Sequence, residues 1–185
     1  SWNPDHSLQL GGDRLAFGTV ASAPNACDLD GGRRTGNKHD FRNFLRLAQM
    51  LNSIHFLGGY PVEPVDIAPP VRHLHATYDM LTLTDMVGEV YSLNRQMNLD
   101  AIEMVRITRG RTHDEIDREP SVFTIVNTNS PLTLDVPMGH GIIEMARANQ
   151  VTCVTPFTLA GAMAPITLAG ALVQQNAEAL AGLVL

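Results

Sequence analysis

The sequence predicts an α/β fold that is a portion of a TIM-type (β/α)₈ barrel with a β-rich N-terminal lead-in. Strand-like runs alternate with helical patterns of about 10 to 15 residues, a spacing typical of βαβ units. The two clearest strands, 121–126 and 151–155, are apolar and β-branched, as parallel strands buried on both faces are. We count three or four such units, about half a barrel. An open doubly wound sheet is the alternative, but no glycine-rich phosphate loop follows any strand.

Residues 1–37 form the predicted lead-in, which resembles a β-hairpin. Two short strands are expected, at 14–20 and 26–30. The dipeptides Pro24-Asn25 and Asp30-Gly31 are typical of turns, so they are expected to bound the second strand.

Residues 38–185 form the predicted partial barrel. Apolar residues at helical spacing predict helices over 38–54, 71–83, 94–108 and 138–148. Thr112 followed by Glu115 has the pattern of a capping box, and the stretches 60–67 and 88–92 are expected to be extended. Pro165 is expected near the first position of the last helix, where a missing N–H costs nothing.

Charge and hydropathy exclude several classes of protein. The net charge of −6 argues against nucleic-acid binding. Residues 148–177 carry no charge, but Pro156 and Pro165 interrupt the stretch and small residues dominate it, so we predict a strand–loop–helix unit rather than a membrane span. Cys27 and Cys153 lie in no motif, which predicts two reduced, buried thiols in a cytoplasmic protein.

The segment from Cys153 to Val173, which reads Cys-Val-Thr-Pro-Phe-Thr-Leu-Ala-Gly-Ala-Met-Ala-Pro-Ile-Thr-Leu-Ala-Gly-Ala-Leu-Val, resembles the trimethylamine methyltransferase family. The resemblance continues through 174–182 and extends upstream to 128–132 and 10–12. Members of that family demethylate tertiary or quaternary amines onto a corrinoid protein. They are much longer, complete barrels, so the resemblance implies that this chain is an interior portion of one, inactive by itself.

The resemblance implies an SN2 methyl transfer from a methylated amine, trimethylamine or a quaternary amine such as a betaine. The methyl acceptor is the Co(I) corrinoid (cobalamin) of a partner protein, and no cofactor or metal is expected on this chain. Because a quaternary nitrogen leaves as a neutral amine, the enzyme needs a cation-tolerant pocket rather than an acid–base pair. Phe157, Tyr60 and Phe123 are candidate aromatic walls. Family members that use trimethylamine carry pyrrolysine, which we expect beyond Leu185.

The loops after the two clearest strands hold the candidate substrate-binding residues, because barrel enzymes build their sites at the carboxyl ends of strands. The alternative is that these residues only cap helices and end strands. The candidates are Asn127, Asn129 and Ser130 after the first strand and Thr155, Phe157 and Thr158 after the second.

Two other functions are open at this point. His73-Leu-His75 matches the His-x-His of metal-dependent barrel hydrolases, but Pro69-Pro70 precede it and a helix begins there. The two rings would then point to different faces, away from the pocket. A non-catalytic domain that binds a methylated amine is the other alternative.

The half barrel is expected to leave apolar strand faces uncovered. Val122, Ile125 and Val154 are the residues concerned. Uncovered apolar faces and strand edges promote association, so we expect a homo-oligomer.

Overall fold

The computed structural model describes Asn3 and residues 5–185, so residues 1, 2 and 4 of the predicted lead-in lie outside the described residues. The described part is a mixed α/β fold with three two-stranded sheets. Its strands are β1 (Asn25–Asp28), β2 (Gly32–Thr35), β3 (Phe56–Leu57), β4 (Val87–Gly88), β5 (Phe123–Thr128) and β6 (Val151–Pro156). Its helices are α1 (Lys38–Met50), α2 (Pro69–Leu83), α3 (Arg95–Thr108), α4 (His113–Ile116), α5 (Val136–Arg147) and α6 (Leu168–Val184).

The lead-in contains an antiparallel hairpin of β1 and β2, in which Asn25 pairs with Thr35. The carboxylate of Asp28 accepts the N–H groups of Asp30 and Gly31 and closes the turn, as the Asp30-Gly31 dipeptide predicted. The strand predicted at 14–20 is not formed as such. Gly18 forms only an isolated parallel bridge to Phe56, with the Thr19 N–H donating to the Phe56 carbonyl and the His55 N–H donating to the Phe17 carbonyl.

Parallel segments lie side by side in the order of the sequence. The segment at Gly18 pairs with β3, and β3 pairs with β4. Glu89, directly after β4, forms a parallel bridge to Phe123 of β5, and β5 pairs with β6 along its whole length. A helix follows each segment, which makes five β–α units rather than the predicted three or four. The extra units were missed because β3 and β4 are only two residues long. The described residues form no closed barrel.

The helices begin at side-chain caps that the sequence supplies. Asn37, Asn94 and Asp135 each accept an N–H from the first turn of α1, α3 and α5. Thr112 and Glu115 form the predicted capping box of α4. The expectation that Pro165 opens the last helix is wrong. The hydroxyl of Thr167 accepts the Gly170 N–H at 3.2 Å, so that α6 begins after this cap.

Two apolar clusters hold these units together. The first joins the hairpin and β3 to α1 and α2, and the second joins α3, α4 and α5 to the start of β5. Val122 belongs to the second cluster and is buried beneath these helices, so the expectation that it is uncovered is wrong. Ile125 and Val154 are half-buried.

The cysteines match only part of the prediction. Both are free thiols, as expected, and Cys153 is half-buried within β6. Cys27 is exposed because its hairpin is covered on one face only, so its predicted burial is wrong.

No helix in the described part of the chain is both long enough and apolar enough to cross a lipid bilayer.

Candidate functional site

A cleft of about 650 Å³ opens at the carboxyl ends of the parallel segments. Ser22 follows the first segment, Tyr60 follows β3, Tyr91 follows β4, and Asn127 lies near the end of β5. Ligands of parallel sheets bind at this edge, because the loops that vary between proteins meet there. This cleft is therefore the candidate site.

A second cleft, of about 730 Å³, lies at the opposite edge. Its walls include Leu15, Ile54 and Asp85, which precede the first segment, β3 and β4. Residues at the amino ends of barrel strands contribute to stability rather than to chemistry. We therefore do not assign function to this cleft, although it is the larger one.

Two stacked tyrosines form one wall of the candidate site. The rings of Tyr60 and Tyr91 lie 4.0 Å apart at 24°, and Phe41 packs edge-on against Tyr60. The Tyr91 hydroxyl accepts the Tyr60 N–H at 2.9 Å and lies 2.7 Å from the Ser22 hydroxyl. Burial raises the pKa of both phenols, so both stay neutral at physiological pH. The wall is rigid, aromatic and uncharged.

Glu89 lines the same cleft and is only 5% exposed. Burial raises the pKa of its carboxyl to about 7, opposed in part by a hydrogen bond from the Ile125 N–H. Its Oε2 is buried without a hydrogen-bond partner. In the described part of the chain no ion pair includes Glu89, so its negative charge is uncompensated.

The other charged groups of the cleft are paired with protein atoms. Arg72 lies 3.6 Å from Glu63 and donates two hydrogen bonds to the Ile67 carbonyl. His73 Nε2 lies 2.8 Å from Asp100. Among the carboxylates that line the cleft, Glu89 therefore differs in having no partner of opposite charge in the described part of the chain.

The two histidines of the His-x-His motif separate on α2. His75 lies 3.2 Å from Lys38, whereas His73 is in the wall of the cleft. The expectation that both lie away from the pocket is therefore wrong for His73, because the start of α2 follows the loop that leaves β3 at the carboxyl edge. Over Asn3 and 5–185, no group of three His, Cys, Asp or Glu side chains has the geometry to hold a metal ion.

The structure brings two of the predicted site residues together. Asn127 lines the cleft, and Thr155 is its direct partner on the neighbouring strand β6. The Thr155 hydroxyl donates a hydrogen bond of 2.5 Å to Asn127 Oδ1. This bond fixes the orientation of the Asn127 amide at the carboxyl edge.

Ser130 and Asn129 lie farther along the loop after β5 and do not line the cleft. The Ser130 hydroxyl is buried and donates to Glu178 of α6 at 2.6 Å, and the Asn129 N–H donates to the Thr133 carbonyl. Burial would raise the pKa of Glu178, but hydrogen bonds from Ser130, Thr128, the Leu132 N–H and Gln174 outweigh it and lower the pKa to about 2. This carboxylate holds the loop in place.

The loop after β6 carries Phe157 and Thr158, which also lie outside the lining of the cleft. Phe157 is 52% exposed and Thr158 is half-buried. Gln174 of α6 donates to the Met163 carbonyl and ties the loop to the helix. Of the three candidate aromatic residues, Tyr60 alone lines the cleft, since Phe123 is buried against Phe56.

The family model described as "Trimethylamine methyltransferase (MTTB)" matches residues 1–185, the whole chain. The chain belongs to the trimethylamine methyltransferase family. It is 33% identical to a glycine betaine methyltransferase of Desulfitobacterium hafniense over 98% of its own length. It is 34% identical to a trimethylamine methyltransferase of Methanosarcina mazei over 100% of its length, and 29% identical to one of Methanosarcina barkeri. The chain spans 38% of the length of each of these relatives.

In this member of the family, two residues of the cleft were not among the predicted site residues. Glu89 and Tyr91 lie in the extended piece predicted at 88–92, but no role was assigned to them. The signal was present, because a carboxylate and an aromatic residue directly follow a short apolar strand. It was weak since β4 spans only two residues.

Proposed function

We propose that this chain provides the substrate cleft of a methyltransferase that moves a methyl group from a methylated amine to the Co(I) corrinoid of a partner protein. The substrate is trimethylamine or a quaternary amine such as a betaine. The observation that carries the proposal is the pairing of the Tyr60–Tyr91 wall with the uncompensated carboxylate of Glu89. Aromatic faces and a negative charge are what a methylated ammonium ion requires.

A methyl carbon of the bound substrate is attacked on the side opposite the nitrogen. The amine leaves with the electron pair of the broken carbon–nitrogen bond. The corrinoid (cobalamin) supplies the nucleophile when its carrier protein is docked. The chain's own residues bind the cation, hold the carbon–nitrogen bond in line and exclude water. Asn127, fixed by Thr155, is placed to orient the polar part of the substrate.

The loops at 127–130 and 155–158 form the rim of the cleft in this proposal. Their outer residues Asn129, Phe157 and Thr158 face the docked corrinoid protein, and the buried Ser130 supports the loop through its hydrogen bond to Glu178. The exposure of Phe157 supports this placement, since an exposed aromatic at a rim is typical of a protein contact.

We propose that the parallel segments are a portion of a (β/α)₈ barrel. Residues 1–37 are its lead-in and contribute the first parallel segment at Gly18, and residues 38–185 contribute the other segments. Parallel neighbours in the order of the sequence support this, because consecutive pairing is the topology of such barrels. The exposed apolar side chains of α6, among them Leu172 and Leu180, fit a contact with further units or a second copy in a homo-oligomer. We also propose that the protein is a cytoplasmic enzyme of one-carbon metabolism. Its net charge of −6 supports the proposal that it binds no nucleic acid.

Transfer to a reduced corrinoid protein tests the function. The full-length protein is mixed with glycine betaine or trimethylamine and a Co(I) corrinoid protein, and the absorbance of methyl-cobalamin is followed. We expect methyl-cobalamin to form with at least one substrate. Tight binding of both amines without any methyl transfer would instead favour the non-catalytic binding domain.

A further inference from the structure

Glu89 is a buried acid, and one of its two carboxylate oxygens has no hydrogen-bond partner. One carboxylate oxygen accepts the Ile125 N–H, while Oε2 is buried within a cleft without a partner. An ionised carboxylate without a compensating cation is expensive to bury, so such a group either binds a proton or receives a cation. The open side of the cleft is the direction from which a ligand can supply that cation.

We propose that Glu89 is the counter-ion of the substrate's ammonium group, and that substrate binding displaces a proton from the Glu89 carboxyl to solvent. The proposal rests on the proposed function in that the ligand is a methylated ammonium ion. Such an ion has no N–H when it is quaternary, so its attraction to Glu89 is electrostatic and needs no hydrogen bond. Tyr60 and Tyr91 stay neutral and add the attraction of their rings.

The groups that face Glu89 allow this role. Tyr60 follows β3, Tyr91 follows β4, and Cys153 lies on β6; each carries a raised pKa to which burial contributes most and the charge of Glu89 also contributes. Glu63, Arg72 and His73 also line the cleft, where Glu63 is paired with Arg72 and His73 with Asp100. Because Arg72 and His73 are each engaged with another carboxylate, the incoming ammonium ion is the cation available to Glu89.

The number of protons released on ligand binding depends on how much of the Glu89 carboxyl is protonated in the free protein. A free carboxyl with a pKa of about 7 is half protonated at pH 7. The bound cation stabilises the carboxylate, so binding at pH 7 releases about half a proton per ligand to the buffer. Affinity for the cation should then be about tenfold weaker at pH 6 than at pH 8.

Calorimetry on the full-length protein tests both statements. Glycine betaine is titrated at pH 7 in buffers of different ionisation enthalpy, and its Kd is measured at pH 6 and pH 8. The tert-butyl analogue of glycine betaine, in which carbon replaces the charged nitrogen, is the control that has the same shape and carboxylate but lacks the positive charge. We expect glycine betaine to release protons and to bind more tightly at pH 8 than at pH 6, and we expect the analogue to do neither.

Glu89→Gln keeps the shape and the acceptor for the Ile125 N–H but removes the charge. We expect it to bind glycine betaine about tenfold more weakly at pH 8, with no pH dependence, and to bind the analogue at least as tightly as the wild type does. Because the substrate loses its positive charge in the transition state, Glu89 binds the ground state more strongly. The variant should therefore raise KM without lowering kcat.

The results separate this inference from the proposed function. Glycine betaine that binds with the same affinity at both pH values, or equally to Glu89→Gln, overturns the role of Glu89 but leaves the methyltransferase in place. A pH dependence retained in Glu89→Gln assigns the titration to another group and also overturns it. Failure of glycine betaine and trimethylamine to bind at any pH overturns both.

Discussion

The hydroxyl of Ser130 donates a hydrogen bond of 2.6 Å to the carboxylate of Glu178, which lies 48 residues later in the chain. Thr128 donates to the same oxygen, while the Leu132 N–H and Gln174 donate to the other oxygen. One buried carboxylate of α6 thus joins the end of β5 and the loop that follows it. The carboxyl edge of the sheet owes its shape to this contact.

Glu178→Ala should lower the free energy of unfolding by about 3 kcal/mol, because it leaves several buried donors without an acceptor. The wild type should also lose stability in acid. Its Glu178 pKa is lowered from 4.5 to about 2, so the contribution is fully present above pH 4.5 and is lost as the pH falls toward 2. Urea unfolding between pH 7 and pH 3 measures both effects.

Glu178→Gln is the matched control for the charge. The hydroxyls of Ser130 and Thr128 can rotate and accept from the new amide, so this variant should keep most of the stability at pH 7. It should lack that acid-dependent loss, since an amide does not titrate. Equal acid sensitivity in Glu178→Gln and the wild type would assign the effect to other carboxylates.

Gly59→Ala should narrow the candidate site. Gly59 has a φ of +108°, and an added Cβ would lie 2.8 Å from the Tyr91 ring and 2.9 Å from the Ala21 Cβ. The backbone strain and the displaced ring should cost about 2 kcal/mol of stability and raise the KM for the amine several-fold. Melting temperature and steady-state kinetics measure the two effects.

Gly88→Ala serves as the control for Gly59→Ala. A Cβ at Gly88 meets only the Met80 sulfur, at 3.7 Å, and the backbone there is ordinary. We expect small changes in melting temperature and KM. If Gly88→Ala lowered the melting temperature and raised the KM as much as Gly59→Ala does, the role assigned to the Tyr60–Tyr91 wall would be contradicted.

Local signals in the sequence predicted the parts of the fold that depend on neighbouring residues. The capping box at Thr112, the helix predicted at 94–108 and the β-branched run of β6 needed only the periodicity and capping chemistry of a few residues. The two-residue strands β3 and β4 are fixed instead by pairing with distant segments, which no local pattern reveals. Pro165 misled for a related reason, since the cap at Thr167 overrides the preference of proline for a first turn.

In the candidate site, too, local sequence predicted some features, while others depend on contacts between distant residues. The position of Asn127 and Thr155 at the carboxyl edge could be predicted because each lies near the end of a strand that the sequence shows clearly. Ser130 was placed correctly on the loop, but its partner Glu178 could not be foreseen, because the two meet only when α6 packs on β6. The pKa of Glu89 is raised by burial, and the burial of a single carboxyl cannot be read from the sequence.

Glu89→Gln should stabilise the ligand-free protein at pH 8 by about 2 kcal/mol. The folded-state pKa is raised from 4.5 to about 7, so ionised Glu89 destabilises the fold, and stability falls as the pH rises from 4.5 through 7. Thermal unfolding of both proteins at pH 5 and pH 8 measures the difference. The gap should shrink at pH 5, and a gap of equal size at both values would assign the gain to packing.

Asn127→Ala should reduce methyl transfer by about tenfold, roughly 1.4 kcal/mol of transition-state stabilisation. The side chain is exposed, so the melting temperature should hardly change. Thr155→Val tests whether the pair acts as a unit, since the Thr155 hydroxyl donates to Asn127. If it does, the double variant should lose no more activity than Asn127→Ala alone, whereas additive losses would show separate roles.

Phe157→Ala should weaken the interaction with the corrinoid protein and leave the amine site intact. Phe157 is 52% exposed on the loop after β6 and lies outside the lining of the cleft, so its loss should change stability by less than about 0.5 kcal/mol. We expect the KM for the corrinoid protein to rise about tenfold and the KM for the amine to stay constant. Phe17→Ala is the matched control, because Phe17 is 57% exposed but stacks on His55 at the opposite, amino edge of the sheet. A rise in the KM for the amine in Phe157→Ala, or an equal effect in Phe17→Ala, would move the docking surface away from the loop at 155–158.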